Sequence, residues 1–552
     1  MIHVRIIDRQ YNITQEGMLM AAHNPPAIMS RTWIMVFCLA CTLFTLFFNL
    51  GGRSIENNDY PHFAEIGREI LETGDWVIMH SGGAIYVDKP PLHTALIALS
   101  YKLFGVNAFA GRFPSALFGL LAVLATFFFG MRLCEGEPKT GFNAAMLLLS
   151  SYGFFILTRR FRNDIVYSAL FSLTLFLFYE GYAAQKSRRK LLYYCSGWLS
   201  IGLAALVKGP AALLPLFIMM VFLVVQRGWR QAGMKTFFLS GLVGAVTLAP
   251  YLVALVGHKD FDEFLSLLQH KTIMRRHAGL LYYVPVFFAK FFPASLFAVV
   301  SVPFFWKNRS GVRADPRKLF LIVWAGLYLL LIHCISAKVY RYLLPAFPPL
   351  AILTAWGAEQ ALSKKTFREA MLRYWHALAA MLCLGFPVVI WIKSEMSLPP
   401  FLIACVGFIM LSLTACSMKN FIAFVCCLCV CCLLFLDVLQ TTRNEKVSDV
   451  QKLYAILHER NIKPDEVLIY KTTGRIRPLL GFYYNRLSQP EINDSLQAQA
   501  GIKAVVTDAE NAHEVTKVFG TPTQTVDLKN HKGSEGGADH VVLFYAIPPH
   551  AQ

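Results

Sequence analysis

Charge is scarce in this 552-residue chain, with Asp, Glu, Lys and Arg together making up 16% of it against 56% hydrophobic residues. Water-soluble domains carry nearer about 25% charged residues. That shortage, with a mean hydropathy of +0.48, excludes a simple soluble globule and indicates a polytopic membrane protein. Acidic residues are the scarcer sign, 34 against 52 basic, leaving a net charge of +18. No basic stripe with interleaved aromatics occurs, so nucleic-acid binding is excluded. Walker, Rossmann and zinc-protease signatures are missing, as are internal repeats and low-complexity segments. Cysteine is absent from the first polar loop and from the tail, which rules out disulfides within either. The 13 cysteines lie in or beside apolar runs, and the cluster Cys426, Cys427, Cys429, Cys431 and Cys432 reads as one greasy helix rather than a metal centre. The N-terminus lacks the shape of a cleavable leader, since its first apolar run, starting near Ile34, is too long; it reads as a retained first span.

Long apolar runs are what the chain does have. They fall at 33–51, 111–131, 142–157, 165–183, 191–207, 209–226, 236–256, 284–305, 319–335, 342–361, 374–393, 399–416 and 420–438, about thirteen candidate transmembrane helices. A further run at 92–104 is too short for a crossing and reads as an interfacial helix. With the N-terminus in the cytoplasm, the strongly basic short loops, such as Lys186/Arg188/Arg189/Lys190 and Lys364/Lys365/Arg368/Arg373, all fall on the inner side. Counting 92–104 as a span would put them outside. The loop 52–110 and everything after about 440 are then extracytoplasmic. In the tail, 466–470, 503–507 and 540–545 read as buried strands, with helices at 449–460 and 512–519. The expected organisation is a membrane domain over 1–440 and a small α/β extracytoplasmic domain over 441–552.

Chemistry in such a chain concentrates where spans end in water. In the first loop, apolar Phe63, Ile66, Ile70 and Leu71 alternate with polar Glu65, Arg68, Glu69 and Glu72 at helical spacing, predicting an amphipathic helix at the membrane surface. Asp59 precedes it, either as a catalytic carboxylate or as a helix cap or solvated loop residue. Asp88-Lys89-Pro90-Pro91 holds a lysine on a stiff turn, suited to a phosphate or to snorkelling. Arg159, Arg160 and Arg162 lie on the outer side against the positive-inside preference, with Asp164 following; arginine forks match phosphate oxygens. Lys208-Gly209-Pro210 and Lys338-Val339-Tyr340-Arg341-Tyr342 sit at other outer span ends. The loop 257–283, with His258, His270 and His277 before Tyr282, is either a solvated basic loop or a source of a metal-ligating histidine.

Taken in order, Lys-Pro-Pro-Leu (89–92), Phe104-Gly105, Phe109-Ala110-Gly111-Arg112-Phe113-Pro114, Arg159 to Asp164, Lys208-Gly209-Pro210, Tyr282-Tyr283-x-Pro285 and Lys338-x-x-Arg341-Tyr342 resemble the integral-membrane glycosyltransferases of the GT-C fold. The nearest branch is the aminoarabinose transferases that modify lipid A, with the related protein mannosyltransferases. The likeness runs from about residue 30 to 360, and the tail around 481–486 resembles the extracytoplasmic domain of the first branch.

The resemblance implies an enzyme of a bacterial inner membrane. Its donor would be a sugar on a polyprenyl phosphate such as undecaprenyl phosphate, and its acceptor lipid A or another extracytoplasmic group, with inversion at the anomeric carbon. Asp59 matches the catalytic carboxylate of the family and Asp164 its second motif aspartate. Lys89, Arg341 and Tyr342 map to the donor-phosphate region, with Arg159, Arg162, Lys208, Tyr282 and Lys338 as further substrate-binding candidates. Asp88 and His277 fall near positions where some members hold a divalent metal. The chain departs from the usual Asp-Glu-x-Arg-Tyr motif, having Asp59-Tyr60-Pro61-His62-Phe63. A transporter is the reading from another class, but it would place ionisable groups near the midplane and show paired repeats, whereas here they gather at span ends on one side.

Overall fold

Lipid offers no partner to a backbone amide, so each apolar run must close its hydrogen bonds within a helix. The computed structural model describes residues 31–52, 55, 61–134, 136–270, 279–335, 338–362, 421–444, 449–470, 502–508, 512–519, 528–529 and 540–545. Among them five helical stretches are long and apolar enough to cross a membrane, or up to seven if each of two bent pairs is one crossing. The expected runs at 374–393 and 399–416 lie outside the described residues. Large apolar side chains stand bare on the outer helices, among them Leu242 (65% exposed) and Val253 (73%), a surface that water would not tolerate and acyl chains would cover.

Helix α1 (Arg31–Phe47) leads to the first loop, where α2 (Pro61–Thr73), a hairpin of β1 (His80–Ser81) and β2 (Ala84–Ile85), and α3 (Leu92–Phe104) follow. At 13 residues α3 is too short to cross. It packs instead on α2 at close range: a Cβ at Gly67 would lie 2.5 Å from Ile97 Cγ2, so only glycine allows the approach. Ile66, Ile70, Ile97 and Tyr101 share a core with Phe161 and with Leu453, Leu457 and Val467 of the tail, separate from the main core between the long helices.

Most of the polar face of α2 is not solvated, contrary to the surface-helix expectation; of its charged residues only Glu72, near its end, is exposed. Glu65, Arg68 and Glu69 are all buried, at 0%, 2% and 1% exposure. Arg68 donates Nη2 to Glu65 Oε1 at 2.8 Å and Nε to Glu65 Oε2 at 3.1 Å, and also pairs with Glu72. Hydrogen bonds from the Arg68 guanidinium to both Glu65 oxygens made burial of this face tolerable, and a period of 3.6 cannot reveal what covers a polar stripe.

The main bundle continues with α4 (Ala108–Leu133), α5 (Pro138–Ser150), α6 (Tyr152–Thr158), α7 (Asn163–Ala183), α8 (Ser187–Lys208) and α9 (Leu214–Gln226). The α5–α6 pair bends by 70° at Ser151. Helices α7, α8 and α9 fold as a zigzag. Lys208, at the end of α8, meets Asp164 at the start of α7, while Phe222 of α9 lies back beside Tyr179 and Tyr182 near the end of α7. The chain therefore reverses at the 3-10 turn Gly209–Leu213, where Gly209 adopts φ +58°, and 187–226 forms two passes rather than one long rod.

Beyond α10 (Gly241–Val256) come α11 (Tyr283–Lys290) and α12 (Ala294–Lys307), bent by 110° to each other. The two bends touch: the Tyr152 amide donates to the Phe292 carbonyl at 3.0 Å. Then follow α13 (Pro316–Cys334), the 3-10 turn Tyr340–Ala346, α14 (Phe347–Leu362) and α15 (Phe421–Asn444). In the tail, α16 (Asp449–Glu459) precedes a sheet of β3 (Val467–Tyr470), β4 (Ala504–Asp508), β5 (Leu528–Lys529) and β6 (His540–Tyr545), with α17 (Ala512–Phe519) against β4. The order is β3-β4-β6-β5, with β3 and β4 parallel and the other pairs antiparallel. In the tail, α16, β3, β4, α17 and β6 lie within a residue or two of the runs read from the sequence, whereas β5 matches none of them.

Candidate active site

Antiparallel packing of α7 and α8 sets the last residue of α8 against the first turn of α7. Lys208 thus sits at a helix C-terminus and Asp164 at a helix N-terminus, each on the end whose partial charge favours it. Lys208 Nζ donates to Asp164 Oδ1 at 2.6 Å, and Arg341 Nε lies 3.2 Å from Asp164 Oδ2. Both carboxylate oxygens are engaged, and the carboxylate is 4% exposed. The lysine ammonium also lies over two rings, 4.8 Å from the Tyr167 centroid and 5.1 Å from that of Tyr342.

Residues 338–342 are held by tyrosines from two other helices. The Tyr328 hydroxyl donates to the Tyr342 carbonyl at 2.9 Å, and that of Tyr283 to the Val339 carbonyl at 3.3 Å. Lys338 is buried at 7% exposure in the same segment. Tyr282 stacks edge-on to Tyr283 with centroids 5.1 Å apart.

Asp164, Lys208, Arg341 and Tyr342, predicted from scattered span ends, come together. Arg159 goes elsewhere. Its guanidinium donates to the Thr45, Leu46 and Phe48 carbonyls at 2.7, 3.2 and 2.7 Å and to Asp437 Oδ2 at 2.8 Å. It thus closes the carbonyl end of α1 and ties it to α15, a helix-capping task. Arg162 is buried three residues on, its backbone tied to Ser115 through Oγ at 3.2 and 3.3 Å.

Lys89 follows the β1–β2 hairpin, whose turn carries Gly82 and Gly83 at φ +61° and +78°, the two left-handed positions such a turn demands. Both turn amides donate to the Glu69 carboxylate, that of Gly83 at 3.2 Å, so α2 fixes the hairpin that leads to the lysine. Lys89 Nζ pairs with Asp88 Oδ2 at 2.8 Å, and the Tyr86 hydroxyl reaches the same oxygen at 3.3 Å. Burial raises the neighbouring Glu65 carboxyl to about 8, outweighing Arg68, which pulls it down. Between the ordinary glutamate range and about 8 the folded chain keeps a proton that the unfolded chain has released. Stability therefore falls as pH rises across that window and is level above it, by on the order of a few kcal/mol. Thermal midpoints in nanodiscs should drop from pH about 5 to about 8 in the wild type and stay flatter in Glu65→Gln. Parallel curves would remove Glu65 as the cause.

Sequence reasoning missed His93. It sits one helical turn past Lys89, 2% exposed, with its ring edge-on to Phe63 at 5.1 Å and no hydrogen-bond partner for either ring nitrogen among the described residues. Burial pushes its pKa down to about 3, against the pull of Asp164, so the ring is neutral. Its spacing from Lys89 was the available signal, but an apolar helix face gives no reason to single out one histidine.

Asp59 and His277 lie outside the described residues. Asp88 supplies one carboxylate, already paired with Lys89, and no group of three or more candidate metal ligands assembles among the described residues. A cavity of about 640 Å³ opens elsewhere, lined by Asp75, Trp76, His80, His258 and Asp260 among others. There the Asp260 amide donates to His258 Nδ1 at 3.2 Å, so neutral His258 carries its proton on Nε2, facing Asp75 Oδ2 at 3.2 Å. That tautomer offers a hydrogen bond to the aspartate, not a lone pair to a metal.

Residues 88–253 match the family model described as dolichyl-phosphate-mannose-protein mannosyltransferase, a stretch that holds Lys89, Asp164 and Lys208. The undecaprenyl phosphate-alpha-4-amino-4-deoxy-L-arabinose arabinosyl transferase of Edwardsiella ictaluri is 28% identical over 329 residues, 58% of this chain and 58% of that protein. The transferase of the same name from Aeromonas hydrophila is 28% identical over 361 residues, 62% of this chain and 64% of its own. The match thus spans less than two thirds of either relative. In three dimensions the crystal structure of ArnT from Cupriavidus metallidurans bound to undecaprenyl phosphate superposes with a TM-score of 0.70 at 20% identity, covering 94% of this chain and 99% of that one. The chain has the fold of that protein.

Proposed function

We propose that this protein is an inverting glycosyltransferase that moves a sugar from a polyprenyl-phosphate donor to lipid A or another extracytoplasmic acceptor. The observation that carries the reading is the buried Asp164 carboxylate holding Lys208 and Arg341 at 2.6 and 3.2 Å, in a fold shared with a protein crystallised with undecaprenyl phosphate. The aminoarabinose transferases named above favour 4-amino-4-deoxy-L-arabinose as the sugar. The topology proposed with it has about thirteen spans, a cytoplasmic N-terminus, a membrane domain over 1–440 and an extracytoplasmic domain over 441–552.

The reaction is a single displacement. An acceptor oxygen forms a bond to the anomeric carbon as the bond from that carbon to the phosphate oxygen breaks, and the polyprenyl phosphate leaves with the electron pair. Lys89, Lys208 and Arg341 neutralise the departing phosphate, fixed in place before the charge develops. Asp164, with a cation on each oxygen, is a poor base and serves to position those cations. The proton of a hydroxyl acceptor falls to Asp59; a phosphate acceptor brings its own negative charge and needs little base catalysis. A divalent ion held by Asp88 and His277 would add charge near the leaving phosphate.

The test combines the purified full chain with undecaprenyl-phospho-aminoarabinose and lipid A, read by mass spectrometry. The expected result is a lipid A product heavier by one aminoarabinose. No gain on lipid A, with a gain on a peptide offered in parallel, would replace this reading by the protein O-mannosyltransferase-like one.

A further inference from the structure

The cavity that holds Asp75 and His258 lies outside the Asp164 cluster. Its volume of about 640 Å³ falls within the span of about 300–1,000 Å³ common to small-molecule sites. Its walls come from two segments far apart in the chain, one within 69–83 and the other 258–260, just after α10. Asp75 Oδ1 accepts the Val77 and Ile78 amides at 2.9 and 3.0 Å, which fixes that carboxylate. Its Oδ2 then receives His258 Nε2 at 3.2 Å and joins the two walls. Two lining groups are not spent on holding the cavity together. The Trp76 indole is 42% exposed. Asp260 stands at the N-cap position of the short helix Phe261–Gln269, yet its side chain makes no capping bond. Its Oδ2 lies 3.8 Å from His258 Nδ1, a nitrogen that already accepts the Asp260 amide. The Lys259 ammonium, 4.0 Å away on a side chain 84% exposed, is a loose surface partner of little worth.

A bare aromatic face beside hydrogen-bond acceptors suits a sugar. The C–H face of the ring lies on the indole, and its hydroxyls donate to carboxylate oxygens. Charge argues against a phosphate in the same place. Histidines aside, the carboxylates of Glu69, Asp75 and Asp260 face one lysine there, and like charges repel. An aromatic belt at the membrane surface accounts for an indole on this side, but not for the carboxylates that share its cavity. The cavity also bears on the reaction centre through the chain. His80 and Gly83, on its wall, belong to the hairpin that leads to Lys89, and Glu69 holds that hairpin by its Gly82 and Gly83 amides.

We propose that the cavity between Trp76 and Asp260 is a saccharide subsite that takes a sugar ring bearing no phosphate. This deepens the transferase reading and rests on it for the two sources of such a ring, the glycan of the acceptor and the transferred sugar. A sugar subsite separate from the cations around Asp164 lets the protein recognise a substrate by its hydroxyls as well as by its phosphate.

The experiment uses the full chain in nanodiscs and needs no turnover. Three probes are titrated: the deacylated, dephosphorylated glucosamine disaccharide of lipid A, the same disaccharide as its bisphosphate, and free 4-amino-4-deoxy-L-arabinose. Binding is read by NMR as saturation transfer from protein to sugar protons. The expected result is transfer to the ring C–H protons of an unphosphorylated probe, with approximately tenfold weaker affinity in Trp76→Ala or Asp260→Ala. The probe that binds identifies the source of the sugar. Asp260, 31% exposed and making no cap bond, is the variant that keeps the test open should Trp76→Ala fail to fold. Trp306→Ala, which removes another bare indole (72% exposed), should match wild type. No transfer to either unphosphorylated probe overturns the proposal, as does wild-type affinity in both cavity variants, an equal loss in Trp306→Ala, or tighter binding of the bisphosphate. Asp164→Asn should keep sugar binding while it loses transfer; loss of both would place the sugar at the reaction centre and overturn the subsite. Failure of wild-type transfer with sugar binding intact would strike the proposed reaction and leave the subsite standing.

Discussion

Asp164→Ala is expected to abolish sugar transfer, by at least about a thousandfold, and to lower stability by about 3–5 kcal/mol. The two effects have one cause. Lys208 and Arg341 have side chains only 14% and 25% exposed, and the carboxylate between them is their shared counter-charge. Without it, two cations that face each other across one acceptor site must separate or bind an adventitious anion. Lys208 would also lose the contact that places it between the Tyr167 and Tyr342 rings. Asp164→Asn separates the effects, since an amide keeps the shape and an acceptor oxygen but not the charge. It should fold, bind donor more weakly and transfer at most about a hundredth as fast. Thermal melts with single-turnover kinetics check both variants. Retention of a third or more of the wild-type rate by Asp164→Asn would show that charge at this position is dispensable.

The second large effect belongs to Asp59→Asn, and its size should depend on the acceptor. With a hydroxyl acceptor, loss of a general base lowers kcat by about 10²–10⁴-fold while the donor KM changes little. With a phosphate acceptor the nucleophile is already ionised, and the same variant should lose far less. Paired kcat measurements on the two acceptor types therefore read out the role of Asp59 directly. Full transfer to both would remove it from catalysis. The contrast with Asp164 is chemical: that carboxylate has a cation on each oxygen and cannot readily take a proton, which is why the proposed mechanism gives that role to Asp59.

Periodicity made much of the architecture readable. The short run at 92–104 is a 13-residue helix, the length read from the sequence, and the tail strands were marked by β-branched and aromatic density; both depend on local sequence. The Asp164–Lys208–Arg341 cluster was legible only as three outer span ends on one side, because the pairing joins residues far apart in the chain. What stayed hidden had partners that no local pattern encodes. Arg159 looked like a phosphate ligand because an exposed fork and a buried capping fork are written with the same letter, and the carbonyls it caps lie over a hundred positions away. Glu65, Arg68 and Glu69 made a convincing polar stripe, yet the stripe is buried within the fold. His93 carried no pattern at all.

The Arg159 linkage also bears on the order of events during synthesis. Its guanidinium is completed by carbonyls at residues 45–48 and by a carboxylate at 437. The first of these partners enters the membrane before Arg159 is made, but Asp437 leaves the ribosome some 278 residues after it. Until α15 is inserted, this buried arginine lacks its ion pair with Asp437. The segment just before α7, close in sequence to the Asp164 cluster, thus reaches its final electrostatic state only after residue 437 has been translated. A nascent chain stopped short of Asp437 would expose that deficit to quality control, which gives α15 a part in completing the first half of the chain.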